Sequence, residues 1–177
     1  MNKLIVVTGG TKGIGRAILE RFASAGFDLV TCARKQADLN KLKDDFEKKY
    51  KVMVMVRSVD MADKEQVQIF TNYVKSLDRT IDVLINNAGN FIPGSVLEEP
   101  EGTLESMIQG NLYSAYHTTR ALAGRMKSTR SGHIFNICSI ASIKAYPNGG
   151  SYAISKFALL GFSKVLREEL KEHGIRV

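Results

Sequence analysis

Nowhere in the 177 residues is there a run of the eighteen or so apolar side chains that a membrane-spanning helix requires. The opening residues, Asn2-Lys3 ahead of a short apolar stretch, do not make a secretory leader either, and a cytoplasmic location is expected. Cysteine is scarce. Cys32 and Cys138 lie far apart in apolar, strand-like segments, which suits buried thiols better than a disulfide or redox pair. The histidines, His117, His133 and His173, have no cysteine or carboxylate at ligand spacing, so no metal site is expected. Internal repeats, low-complexity tracts and interdomain linkers are lacking as well, and residues 1–177 are expected to form one domain.

What the chain does have is the balance of a folded protein, 44% apolar and 24% charged residues. Its net charge of +7 and pI near 9.4 raise the question of nucleic acid. Lysines and arginines are interleaved with acids, as in Lys41-Leu42-Lys43-Asp44-Asp45, and no basic arm or aromatic stacking platform is present. No nucleic-acid partner is expected; part of the excess suits a multiply anionic ligand.

The densest pattern is at the start. An apolar strand, Leu4–Val7, runs into Thr8-Gly9-Gly10-Thr11-Lys12-Gly13-Ile14-Gly15, and an apolar helical stripe of Ile14, Ala17, Ile18 and Phe22 follows at once. Strand, glycine turn and helix in that order suit a dinucleotide pyrophosphate: the glycines let the backbone approach, and the helix N-terminus offers free N–H groups. The spacing Gly9-x3-Gly13-x-Gly15 is not the more general G-x-G-x-x-G, and an ordinary tight turn would use the same glycines.

Further strands are expected at Phe27–Ala33, Val52–Val56, Ile81–Ile85 and His133–Cys138. Helices are expected over residues 36–50, from near Ala62 to Leu77, over Leu104–Met126 with a break near Gly110, and over Tyr152–Glu172. That alternation makes an α/β parallel sheet with helices on both faces, in which Ile175-Arg176-Val177 only begins another strand. Where an NAD site places a carboxylate after the second strand, this chain has Arg34 and Lys35, with Lys12 within reach; such cations suit a ribose 2′-phosphate. Asp60 either reaches the adenine or caps the following helix. Asn86-Asn87-Ala88-Gly89 closes the fourth strand with residues small enough for a nucleotide to pass, or forms only a turn. Asn111 is an awkward amide inside a helix. Ser139 ends the fifth strand, and Tyr152 and Lys156 stand at i and i+4 on one helix face, so three polar groups converge at the carboxyl edge of the sheet.

Taken together, the Thr8–Gly15 turn, Asn86–Gly89, Asn111, Ser139 and Tyr152-x3-Lys156 resemble the short-chain dehydrogenase/reductase superfamily, with a general likeness to bacterial 3-oxoacyl-carrier-protein reductases and sepiapterin reductase-like carbonyl reductases. The resemblance covers the whole chain and implies a Rossmann-type doubly wound sheet. It implies an oxidoreductase that moves a hydride from NADPH to the carbonyl of a small or carrier-bound substrate. Asn111, Ser139, Tyr152 and Lys156 would be catalytic: Tyr152 as proton donor, Ser139 on the carbonyl oxygen, Lys156 favouring phenolate and holding the nicotinamide ribose, Asn111 placing a water. Gly9, Thr11, Lys12, Gly13, Ile14, Gly15, Arg34, Asp60, Asn87, Ala88 and Gly89, with Tyr152 and Lys156, would bind the cofactor.

Phe91, Ile140, Ser142, Tyr146 and Gly150 flank these groups in sequence, as substrate contacts or as core residues. The resemblance also implies a homodimer or homotetramer joined through the helices at Leu104–Met126 and Tyr152–Glu172; Tyr113, Tyr116, Leu166 and Leu170 either contribute to that interface or belong to the core. Members are longer, so it further implies that the C-terminal strands are incomplete and that a C-terminal portion with a substrate lid is lacking. A dinucleotide-binding regulatory or structural protein without turnover is the alternative, although it would need only the nucleotide half of these residues.

Overall fold

The run Leu4–Thr8 (β1) is buried from end to end because it lies inside a parallel sheet covered on both faces. The computed structural model describes residues 1–177. Its other strands are Asp28–Ala33 (β2), Val54–Ser58 (β3), Val83–Asn86 (β4), Gly132–Asn136 (β5) and Ile175–Arg176 (β6), in the order β3-β2-β1-β4-β5-β6. All neighbouring pairs are parallel. Helices Gly13–Ala23 (α1), Gln36–Tyr50 (α2), Lys64–Ser76 (α3), Ser114–Thr129 (α5) and Gly150–Leu170 (α6) make the crossovers, with a short Thr103–Ile108 (α4) ahead of α5.

Side-chain alternation sorts β1 between two cores. Leu4 and Val6 pack with Phe70, Leu122, Met126, Leu166 and Leu170, whereas Ile5 and Val7 pack with Leu19, Leu42 and Phe46 from α1 and α2. Strand order reverses at β1 and β4, so the carboxyl ends of these two strands flank the crevice in which this topology binds ligands.

Several boundaries move. The chain enters β3 two residues later than the apolar run suggests, and β5 stops at Asn136, which leaves Ile137 and Cys138 beyond the sheet. Cys138 is therefore half-buried rather than a strand residue, whereas Cys32 is wholly buried in β2 and burial pushes its thiol pKa up to about 12. The break near Gly110 is a wide π turn, Gln109–Tyr113, between α4 and α5.

The expectation of incomplete C-terminal strands is corrected. Ile175–Arg176 is a sixth strand, paired to β5 through Gly132↔Ile175 and His133↔Arg176. The physical reason is local: Gly174 (φ +70°) turns the chain out of the helical end of α6, and Ile175 then drops into the core at 3% exposure. Of the two roles open to Leu166 and Leu170, interface or core, the structure takes the core, because α6 turns that stripe to the sheet.

At the amino edge of the sheet Asp28 is buried and pairs with Arg79 at 2.8 Å, while its other oxygen accepts from Met53 N–H and from Asn2. Burial alone would raise its pKa; the hydrogen bonds from Met53, Asn2 and Arg79 outweigh it and hold the carboxyl below its ordinary value. A depressed folded-state pKa adds stability above the unfolded value, and that stability is lost as pH falls through the folded one. Arg79→Ala, which strands the buried carboxylate, is expected to cost about 3 kcal/mol in urea unfolding at neutral pH. The difference from wild type should shrink as the pH is lowered and Asp28 protonates in both.

Candidate active site

Thr8, the last residue of β1, joins the two strands that flank the crevice. Its hydroxyl accepts from the backbone N–H groups of Asn87 (3.0 Å) and Ala88 (2.9 Å). The Asn87 amide answers by donating to the carbonyls of Thr8 and Gly9, both at 2.9 Å. The strand ends are thus closed upon each other, with side chains doing what ladder bonds no longer can. Asn86 beside them is buried and donates to Thr119 Oγ1 and Asn136 Oδ1, and Asn136 donates on to Ser163.

Past Thr8 the glycine turn is shaped by what cannot fit. Gly9 has φ +72° and Gly13 φ +53°. A Cβ on Gly15 would lie 2.5 Å from Asn87 Nδ2 and strike the Gly9 carbonyl, whereas at Gly13 it would meet nothing. Thr11 and Lys12 form the crest of the turn, and Lys12 begins α1 without a side-chain cap or an acid in the first turn. Ile14 is 61% exposed despite being apolar. An open helix N-terminus with free N–H donors and room above Gly13 fits a dinucleotide pyrophosphate.

The cations expected near the ribose are differently placed. Arg34 is exposed at the end of β2 and takes part in none of the ion pairs. Lys12 already lies 3.6 Å from Asp38 in the first turn of α2, a carboxylate that the sequence pattern gave no reason to single out. Asp60 is not the cap of α3. Asp63 is, accepting from Glu65 and Gln66 N–H, while Asp60 accepts from Ala62 N–H and shapes the turn ahead.

Tyr152 and Lys156 occupy adjacent turns of α6, with Lys156 Nζ 5.8 Å from the Tyr152 ring centroid. Lys156 is buried at 8% exposure and donates to the Ile137 carbonyl at 2.8 Å. Burial lowers its pKa from the usual lysine value, and the nearby Cys138 opposes that shift. Early exit from β5 is what frees the Ile137 carbonyl for this contact.

Asn111 lies in the π turn. It donates to the Asn90 carbonyl (3.0 Å) and Ser155 Oγ (2.9 Å), and its carbonyl accepts from Asn90 N–H (2.8 Å). Gly89 brings the set together: a Cβ there would lie 2.5 Å from Asn111 Oδ1 and 4.0 Å from Lys156 Nζ. Ser139 opens a short 3-10 turn, Ile140–Ser142, that packs on α6. Its Oγ accepts from Ala141 N–H, and Ser142 Oγ accepts from Ser139 N–H.

The candidate substrate contacts divide. Phe91 sets its ring edge against Tyr152 at 4.7 Å, and Ile140 and Tyr146 are exposed. Ser142 is instead buried as the fastener of Ser139, and Gly150 faces Glu99. Asp38 and Ser155 carry no signal in the sequence, and Thr8 figures there only as the first residue of the glycine turn. A hydroxyl residue ahead of the glycines was the one available signal for Thr8; the others depend on partners far along the chain.

A family model described as short chain dehydrogenase matches residues 3–177. The 3-oxoacyl-(acyl-carrier-protein) reductase of Haemophilus influenzae is 31% identical over 175 residues, 99% of this chain and 71% of that protein. The sepiapterin reductase of Chlorobaculum tepidum is 31% identical over 184 residues, covering all of this chain and 75% of the relative. Among solved structures, the L-sorbose reductase of Gluconobacter frateurii, in complex with NADPH and L-sorbose, superposes with a TM-score of 0.95 at 31% identity. It covers 99% of this chain, which spans 67% of that one.

Thr8→Val keeps the shape of the side chain and leaves the Asn87 and Ala88 N–H groups without their acceptor. A loss of about 1–3 kcal/mol is expected by denaturant unfolding, with Thr8→Ser recovering most of it.

Proposed function

Because the chain belongs to the short-chain dehydrogenase family, we propose that Ser139, Tyr152 and Lys156 are the working groups of an NADPH-dependent carbonyl reduction, with Asn111 as their support. The observation that carries this is the meeting of Lys156, Asn111 and Gly89 at the carboxyl end of β4, one helical turn from Tyr152. The chain is an oxidoreductase of NADP(H) acting on carbonyl substrates. Thr8–Gly15, Asn87, Ala88 and Gly89 hold the dinucleotide, Arg34 and Lys12 its 2′-phosphate, and Asp60 stands near its adenine.

When bound, NADPH supplies the hydride that the carbonyl carbon accepts. The Tyr152 hydroxyl gives a proton to the carbonyl oxygen as negative charge builds there, and the Ser139 hydroxyl donates to the same oxygen. The Lys156 ammonium, 5.8 Å from the Tyr152 ring centroid, stands beside the negative charge that the reaction leaves on that side chain. The Ile137 carbonyl keeps Lys156 pointed at this task. Asn111 holds the backbone at Asn90 and, through Ser155, the same helix that carries Tyr152.

Residues 1–177 act as one cofactor-binding and catalytic domain in this reading. No helix is long and apolar enough to cross a membrane, and a cytoplasmic setting accords with two unpaired cysteines. A homo-oligomer is supported by apolar side chains left exposed along α6 (Ile154, Phe157 and Val165), together with Tyr113 ahead of α5. The direct test of the reaction is loss of NADPH absorbance with acetoacetyl-coenzyme A, L-sorbose and diacetyl as carbonyl probes. Tight NADPH binding without turnover of any would favour the non-catalytic alternative.

Two substitutions sharpen the test. Arg34→Asp should move the kcat/KM ratio from NADPH toward NADH by about tenfold or more, and Lys12→Ala by less, because Asp38 already shares that ammonium. Equal use of both cofactors by the wild type would refute the role of Arg34. Tyr152→Phe should retain NADPH affinity in fluorescence titrations and lose about 10²–10⁴ in turnover. Turnover within twofold of wild type would remove Tyr152 as the acid.

A further inference from the structure

One carboxylate ties the loop after β4 to the first turn of α6. Glu99 accepts from the Ser151 backbone N–H at 2.8 Å and from the Ser151 hydroxyl. Beside it, Gly94 N–H donates to the Asn148 carbonyl at 3.1 Å. Gly150 leaves the space for this approach: its φ is +41°, and a Cβ there would lie 2.5 Å from the Gly94 carbonyl and strike Glu99 Oε1. Helix α6 has no cap of its own, since Gly149 precedes it and its first turn holds no acid. Helix α3, by contrast, is capped by its adjacent Asp63. Glu99 does for α6, from 52 positions away in sequence, what a neighbouring residue does elsewhere.

The residue after Ser151 is Tyr152. The other end of the same loop is fixed as well, because Asn111 holds both backbone groups of Asn90 and the Phe91 ring meets Tyr152. Tyr152 therefore sits between two anchors of one loop, in the turn of α6 that is otherwise freest to fray. Lys156 is a turn further in and has its own tether to Ile137.

We propose that Glu99 is a positioning residue: by fixing where α6 begins it sets the direction of the Tyr152 hydroxyl. This rests on Tyr152 being the proton donor. Loss of the clamp loosens Tyr152 but not Lys156 or the glycine turn, so catalysis suffers while the cofactor site does not.

The full chain is tested as wild type, Glu99→Ala, Glu99→Gln, Gly150→Ala, the Glu99→Ala/Gly150→Ala double variant, and Tyr152→Phe. Each is measured for NADPH affinity by fluorescence and for steady-state turnover on the fastest of the three carbonyl probes. Amide exchange at Ser151 is followed by NMR. Glu99→Ala should lower kcat by roughly 10–100-fold, the scale of a small misplacement, with NADPH affinity within about twofold of wild type. Glu99→Gln should recover kcat to within about fivefold of wild type, since its carbonyl can accept from Ser151 N–H and its amide can donate to Ser151 Oγ. Gly150→Ala should resemble Glu99→Ala, and the double variant should be no slower than either, because both break one contact. Exchange at the Ser151 N–H should quicken in Glu99→Ala, Gly150→Ala and the double variant, and not in Tyr152→Phe.

The proposal is overturned if Glu99→Ala keeps kcat within twofold, if Glu99→Gln is as slow as Glu99→Ala, if NADPH affinity falls in step with kcat, or if the double variant is additive. Should Glu99→Ala fail to fold, Glu99→Gln and Gly150→Ala decide the matter by the same limits. If Tyr152→Phe is inactive and Glu99→Ala is not slowed, only the role of Glu99 falls. If Tyr152→Phe turns over normally, the catalytic reading falls with it.

Discussion

The site depends on a hydroxyl at the end of a strand. Where β1 and β4 run out of ladder partners, Thr8 Oγ1 accepts from two successive N–H groups, and Asn87 returns two hydrogen bonds to the carbonyls of Thr8 and Gly9. Backbone groups that would otherwise be left without partners at the mouth of the crevice are satisfied, and the glycine turn is held against Asn87 and Ala88. Everything the cofactor would touch hangs from that closure, including the open N-terminus of α1 and the short passage at Gly89.

The same economy appears at the reacting end. An ammonium with one backbone acceptor, an amide in a π turn and a glycine with no space for a Cβ occupy one small volume, and each is presented by a different element. Burial of Lys156 lowers the pKa of an amine that the proposed reaction needs charged, so its single tether to Ile137 matters more than an exposed contact would. That tether exists because β5 ends early, at Asn136, and lets the next carbonyl turn away from the sheet.

Much of this was legible in the chain because it is written locally. Glycine spacing after an apolar strand specifies a tight turn opening a helix, and a Tyr and a Lys four apart on a helix must share a face. Contacts made at a distance were not legible. Nothing near Glu99 announces Ser151, and nothing near Asp38 announces Lys12. Leu166 and Leu170 suit an interface as well as a core, and only packing against residues far along the chain decides between them. Ser142 looked like a group for substrate and serves Ser139 instead. The extent of the last strand is hard to read because two residues carry little pattern; a glycine turn and a buried isoleucine suffice to pair it.

The π turn at Gln109–Tyr113 also sets the phase of the long helical segment. Met107, Asn111 and Ala115 are all buried at intervals of four, and in a plain α-helix each such step drifts about 40° around the axis. The wider turn takes up that drift, so the stripe of α5 still faces the sheet while the Asn111 amide faces Gly89. Length here is therefore a coded quantity: one residue fewer would swing either the amide or the apolar stripe out of place.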